Sequence, residues 1–201
     1  MRNANADNES SAHGTTRRVL LQGFAERVAV LGALPLISHA ADANDATKLR
    51  PQVGDVLVFA DGARARAAIT PNDLAAGAPP ISAWPMDRSN KIVRDGSRLN
   101  LVRIVRIDAH LLSAKAVESA ADGILAFAAM CSHAGCDVLG WNAEAHHLVC
   151  PCHGSQFDAL DAAAVVQGPA TKPLALLPLK VEGGELLVAR GFTRQVGFKP
   201  L

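Results

Sequence analysis

The sequence predicts an all-β domain, a sandwich or barrel, on three observations. Short β-rich runs recur with turn signals at close spacing: Gly54–Phe59, ended by Asp61-Gly62, then Ile124–Ala129, Ala164–Val166, Leu174–Val181 and Glu185–Val188, the last three set apart by Gly-Pro or Gly-Gly turns. No long amphipathic helix pattern and no internal repeat runs through the chain; Ala114–Ala121 suits one helical turn or two. Aromatic residues make up only 4% and Tyr is absent, so Val, Leu, Ile and Ala must fill the core, which fits small β layers.

Between these runs, Gly77 to Pro85 contains Gly77, Pro79, Pro80 and Pro85 and reads as a long surface loop. Lys91–Arg94 and Arg98–Ile107 flank Asp95-Gly96 and read as the two strands of a hairpin. Ile124–Ala129 delivers the chain directly to Cys131.

The bulk numbers bound the function. With 201 residues, 49% of them apolar, the chain is long enough to bury a core as one domain or two small ones. The 20 Lys+Arg against 19 Asp+Glu leave a net charge of +1, so no global field draws nucleic acid or anionic lipid to it. Nucleic acid is therefore not an expected partner.

Residues 1–40 read as an export signal. Thr15-Thr16-Arg17-Arg18-Val19-Leu20-Leu21 carries twin arginines before apolar residues, as in a twin-arginine signal. Val28 to Ile37 is a run of ten apolar or small residues, and Ser38-His39-Ala40 suits cleavage after Ala40. A membrane span needs about 20 apolar residues, and Glu26 and Arg27 interrupt the stretch from Val19. The expectation is a periplasmic protein whose mature chain has no stable membrane span; a retained anchor is the less favoured option.

All four Cys lie in two segments, Cys131-Ser132-His133-Ala134-Gly135-Cys136 and Cys150-Pro151-Cys152-His153-Gly154-Ser155. Each supplies a Cys and a His at short spacing, and each has a second Cys. Structural zinc takes a Cys2His2 set in a tetrahedron but leaves Cys136 and Cys152 without a role. In an exported protein those two can instead form a disulfide.

The two hexapeptides resemble the two boxes of Rieske iron-sulfur proteins, in the subclass whose loops are joined by a disulfide. Oxygenase-type Rieske domains normally lack that pair. The resemblance covers about residues 126–172. It implies a Rieske-type antiparallel β-sandwich with a small cluster-binding subdomain, and a 2Fe-2S cluster on which two His replace two Cys at one iron. Carried over by position, Cys131 and Cys150 bind one iron, His133 and His153 the other, and Cys136 pairs with Cys152. Ser155 falls where the family places a hydroxyl donor to a cluster sulfide. Gly168-Pro169-Ala170 falls where it places a covering proline loop. Phe157 departs from the high-potential members, which usually have a tyrosine there that donates to a cysteine sulfur.

The implied organisation is 1–40 export signal, 41–127 first part of a β base domain, 128–172 cluster-binding subdomain, and 173–201 the remaining base strands and tail. The implied work is one-electron transfer, with no substrate-converting site in the chain itself. Asp158 and Asp161 read as turn residues, and His146-His147 as a solvated loop. Two assignments remain. One is the soluble periplasmic small subunit of an oxidoreductase similar to arsenite oxidase, with a molybdenum-bearing partner subunit and a cytochrome c-type acceptor. The other is the Rieske subunit of a membrane quinol:cytochrome c oxidoreductase. A zinc-stabilised binding module is the remote alternative.

Overall fold

Strand β4 (Ile124–Ala128) is buried at every position, and the alternation of its side chains explains the layout. Successive residues of a strand point to opposite faces, so Ile124 and Ala126 enter one core with Leu57, Val102, Ile104 and Leu186. Leu125 and Phe127 enter a second core with Leu148 and Phe157. A strand that serves two cores reads as a continuous apolar run.

The computed structural model describes residues 45–198; the export signal read in residues 1–40 lies outside them. The strands are β1 (Val56–Phe59), β2 (Ile81–Met86), β3 (Val102–Arg106), β4, β5 (Gly140–Asn142), β6 (His147–Val149), β7 (Gln156–Asp158), β8 (Ala164–Gln167), β9 (Leu179–Glu182) and β10 (Glu185–Val188). They form an antiparallel six-stranded sheet, ordered β4-β3-β2-β1-β10-β9, and an antiparallel four-stranded sheet, ordered β5-β6-β7-β8. The free edge of β4 is bonded by the segment leading into β9: Ala128 N–H donates to Ala175 O (2.8 Å) and Leu177 N–H to Ala126 O (2.9 Å). One chain segment thus links the two edges of the larger sheet. Among the described residues helix is confined to short turns, of which α1 (Ala114–Val117) is capped by Ser113, whose hydroxyl accepts from Ala116 N–H. Among the described residues no helix is long and apolar enough to cross a membrane.

Two sequence expectations fail between residues 77 and 107. Ile81–Met86 is a strand at the centre of the large sheet, although Pro85 lies in it. Pro85 O accepts from Arg94 N–H at 2.9 Å. The N and O of one strand residue face the same side, so the donor that proline lacks is not one that β1 requires. The expected hairpin is absent: Val93 makes only an isolated bridge to Met86, residues Arg98–Asn100 form a 3-10 turn, and β3 pairs with β2 and β4.

The reason lies in a buried polar knot. Arg94 is forked onto Asp55, with Nε to Oδ2 at 2.5 Å and Nη2 to Oδ1 at 2.9 Å, and the two side chains are 5% and 4% exposed. Buried Asn100 donates to Leu49 O and Arg94 O. These bonds hold residues 94–100 in an irregular path across the start of the domain, which a hairpin would not allow.

Removing one member of a buried pair strands the other charge, at about 3–5 kcal/mol. Asp55→Ala is accordingly expected to lower the unfolding free energy by about that amount, measured by denaturant titration; a loss below about 1 kcal/mol would mean the pair behaves as a surface one.

Candidate metal centre

The two Cys/His segments fold into loops with one hydrogen-bond pattern. In the first, following β4, Cys131 N–H donates to Cys136 O (2.8 Å) and Gly135 N–H to Cys131 O (3.1 Å). In the second, between β6 and β7, Cys150 N–H donates to Ser155 O (2.9 Å) and Gly154 N–H to Cys150 O (3.0 Å). The fifth residue of each loop must turn with positive φ, and it is a glycine in both, Gly135 at +75° and Gly154 at +71°.

This geometry sorts the four cysteines. Cys131 and Cys150 are free thiols, each 1% exposed. Cys136 and Cys152 form a disulfide across the loops, with Cα atoms 6.5 Å apart. The sulfurs of Cys136, Cys150 and Cys152 lie within 4.8 Å of one another, but two of the three are bonded together, so that trio is no ligand set. The Cys131 and Cys150 thiols are neighbours in one buried cluster. Burial pushes the Cys131 thiol up and its Cys150 neighbour adds to the rise, while N–H groups of His133 and Ala134 directed at the Cys131 sulfur oppose it. A metal must displace the thiol protons, and it gains from those amides once the sulfur is a thiolate.

The imidazoles of His133 and His153 sit beside each other, ring centroids 4.8 Å apart and nearly perpendicular. His133 is half-buried and His153 exposed. The structure therefore brings together two sulfur donors on the inner side and two nitrogen donors on the outer, a set that fits an iron-sulfur group with mixed ligation.

Surrounding residues fix the loops. Ser155 is fully buried, and its hydroxyl oxygen accepts from Ala170 N–H at 3.1 Å, which leaves its own hydrogen to donate. Gly168 passes so close that a Cβ would lie 2.5 Å from Ser155 Cα, and its φ is +86°. The Gly168-Pro169-Ala170 segment is thereby pressed against the second loop. Phe157 is fully buried in the core beneath the loops.

Sequence reading missed three supports. Strands β5, β6 and β7, which form most of the small sheet, are too short for a periodic signal. His147 lies in β6, not in a solvated loop as its polar neighbours led us to expect: it is half-buried, and its Nδ1 is 3.0 Å from Gln156 Oε1. Arg98 grips the first loop through Asp137 (2.6 Å) and Gly135 O (3.3 Å). The C-terminal segment also packs on that loop. Val196 is buried with Ala128 and Ala175 against Met130, Gly197 lies against Met130, and the Phe198 ring lies over Gly135. Asp158 caps a turn, its carboxylate accepting from Leu160 N–H at 2.8 Å.

Residues 86–178 match the family described as Rieske [2Fe-2S] domain. The chain is 44% identical over 73 residues to the cytochrome bc1 complex Rieske iron-sulfur subunit of Mycobacterium tuberculosis, covering 36% of this chain and 17% of that one. It is 46% identical over 76 residues to the putative respiratory nitrate reductase subunit Rieske of Haloferax mediterranei, covering 37% and 34%. The chain thus spans only about a sixth and about a third of the length of these two relatives. Among solved structures, the soluble domain of Rieske protein II (soxF) from Sulfolobus acidocaldarius is 23% identical over 48% of this chain and 66% of that one, with a TM-score of 0.37. The likeness first visible in six residues therefore extends well beyond the two loops, and residues 86–178 are a Rieske [2Fe-2S] domain with a Rieske-type 2Fe-2S cluster as its cofactor.

Proposed function

We propose that this chain is a one-electron carrier whose cluster is held by Cys131, Cys150, His133 and His153. The observation that carries the proposal is the sorting of donors on two matched loops: two buried thiols in one cluster on one side, paired imidazoles on the other, and the second cysteine of each loop withdrawn into a disulfide. When bound, a cluster so ligated accepts a single electron at about −150 to +300 mV, because neutral imidazole supplies less negative charge than thiolate. The protein's own part is to hold the donors, to keep water from Cys131 and Cys150, and to present His153 at the surface. Ser155 fits the role of hydroxyl donor to a sulfide: its oxygen is engaged by Ala170 N–H and its hydrogen is free to point at the cluster.

The finer assignment is a soluble periplasmic subunit of an oxidoreductase of the arsenite-oxidase kind, exported by the twin-arginine route and passing electrons from a molybdenum-bearing partner to a cytochrome. Arg17-Arg18 with the apolar run after it supports export, and Phe157, which cannot donate to a cysteine sulfur, supports a lower potential than tyrosine-bearing quinol oxidants have. The likeness to cytochrome bc1 subunits favours a second reading, the Rieske subunit of a quinol:cytochrome c oxidoreductase. Co-purification of the native protein with its partner subunit separates the two.

Three outcomes are expected. Purified protein should contain two irons and be reduced by one electron within the range above, whereas one zinc and no iron would overturn the proposal. Phe157→Tyr should raise the potential by roughly tens of millivolts in a redox titration; an unchanged or lower value would show that the ring does not reach a sulfur. The double change Cys136→Ser/Cys152→Ser opens a link with a sequence separation of 16 and should lower the unfolding free energy by about 3 kcal/mol, with faster loss of visible absorbance on standing. Equal stability would mean that the loops are held by their packing alone.

A further inference from the structure

The surface beside the first loop is strongly basic in a chain that is nearly neutral. A cavity of about 250 Å³ opens next to Ser132, the residue between Cys131 and His133, and Lys172 and Arg194 line it. Arg194 also lines a second cavity of about 200 Å³, together with Lys115 and Arg190. Across both linings these four cations face one carboxylate, Glu118. All four cations are exposed, and among the described residues no carboxylate lies within ion-pair distance of them. Elsewhere exposed arginines are paired, as Arg64 is with Asp73, Arg66 with Asp95 and Arg88 with Glu185. An excess of three charges on one strip stands out against a net charge of +1 for the whole chain.

The strip is also fixed in place. Ser132 Oγ donates to Lys172 O at 2.5 Å, which binds the backbone of Lys172 to the ligand loop. Thr193 N–H donates to Leu176 O (2.9 Å) and its hydroxyl accepts from Leu176 N–H (3.0 Å), which fastens the residue before Arg194. Arg190 Nη2 donates to Glu118 O at 3.2 Å. Unpaired like charges held side by side repel each other, and an opposing acidic surface relieves that cost while gaining attraction.

We propose that the strip Lys172, Arg194, Arg190 and Lys115 is the docking surface for an acidic face of a protein redox partner, and that it draws that face against the loop of Cys131 and His133. The proposal rests on the electron-carrier reading and deepens it by giving the partner's charge. A protein is favoured over a lipid surface because the strip begins at the ligand loop, where a partner's acceptor must come close.

The test uses holoprotein, its visible spectrum confirming the cluster, and the double variant Lys172→Gln/Arg194→Gln, with Arg66→Gln/Lys91→Gln as a control of equal charge on another part of the surface. Immobilised poly-L-glutamate should retain wild type and control at low salt, and retain the strip variant at least about threefold more weakly. In stopped flow, the reduced protein gives one electron to ferricyanide, an anion, or to tris(phenanthroline)cobalt(III), a cation. The strip variant should react at least about threefold more slowly with ferricyanide at low salt and faster with the cobalt complex, and both differences should fade above about 0.1 M salt as screening sets in. A change in potential would move both rates the same way, so opposite movement isolates the field. Equal effects in the control, or rates that move together, would overturn the proposal. So would sedimentation with phosphatidylglycerol vesicles that only the strip variant loses, which would give the strip to a lipid surface. A colourless, iron-free protein would instead overturn the electron-carrier reading beneath it.

Discussion

The covalent tie between Cys136 and Cys152 is the constraint on which the centre depends. It joins two loops that leave different parts of the chain, one from β4 of the large sheet and one between β6 and β7 of the small sheet. Each loop supplies one thiol and one imidazole, so neither can hold a two-metal group alone. Bonding one sulfur of each loop to the other fixes their separation and leaves Cys131 and Cys150 as the free, buried thiols. The remaining supports act in the same sense: Gly168 pressed on Ser155 from one side, and Arg98, Val196 and Phe198 against the first loop from the other.

Those supports give the electrostatic environment its form. The thiols lie in a core of Leu125, Phe127, Leu148 and Phe157; at Cys131 burial penalises added negative charge, and the N–H groups of His133 and Ala134 offset the penalty. The imidazoles lie at the surface. On the proposed reading an electron leaves on the His133 and His153 side, next to the basic strip that begins at Ser132.

The two Cys/His loops were the most legible part of the sequence because their pattern is local. Six residues at fixed spacing, with a glycine where each loop must turn, mark out the pair of loops and the disulfide between them with little help from the rest of the chain. The same held for strands whose signal is a run of apolar residues, such as Val56–Phe59 and Glu185–Val188. It failed where distant partners decide the conformation. Pro85 could enter a central strand because its missing donor faces Arg94 instead of β1, and the stretch 94–100 left the hairpin path because Asp55 and Leu49 claim its polar groups. Neither partner is adjacent in sequence. The short strands of the small sheet were invisible for another reason: three residues carry no period, and their pairing is set by the loops they support. The tail at Val196 to Phe198 had no signal beyond its apolar residues.

The central claim is mixed thiolate and imidazole ligation on two loops, and the most direct measurement is electron-nuclear double resonance on the reduced protein grown with 15N-histidine. The account predicts a paramagnetic 2Fe-2S signal with two strongly coupled histidine nitrogens, one of which disappears on His133→Cys or His153→Cys. A silent spectrum, or a cluster signal with no histidine coupling, would contradict it.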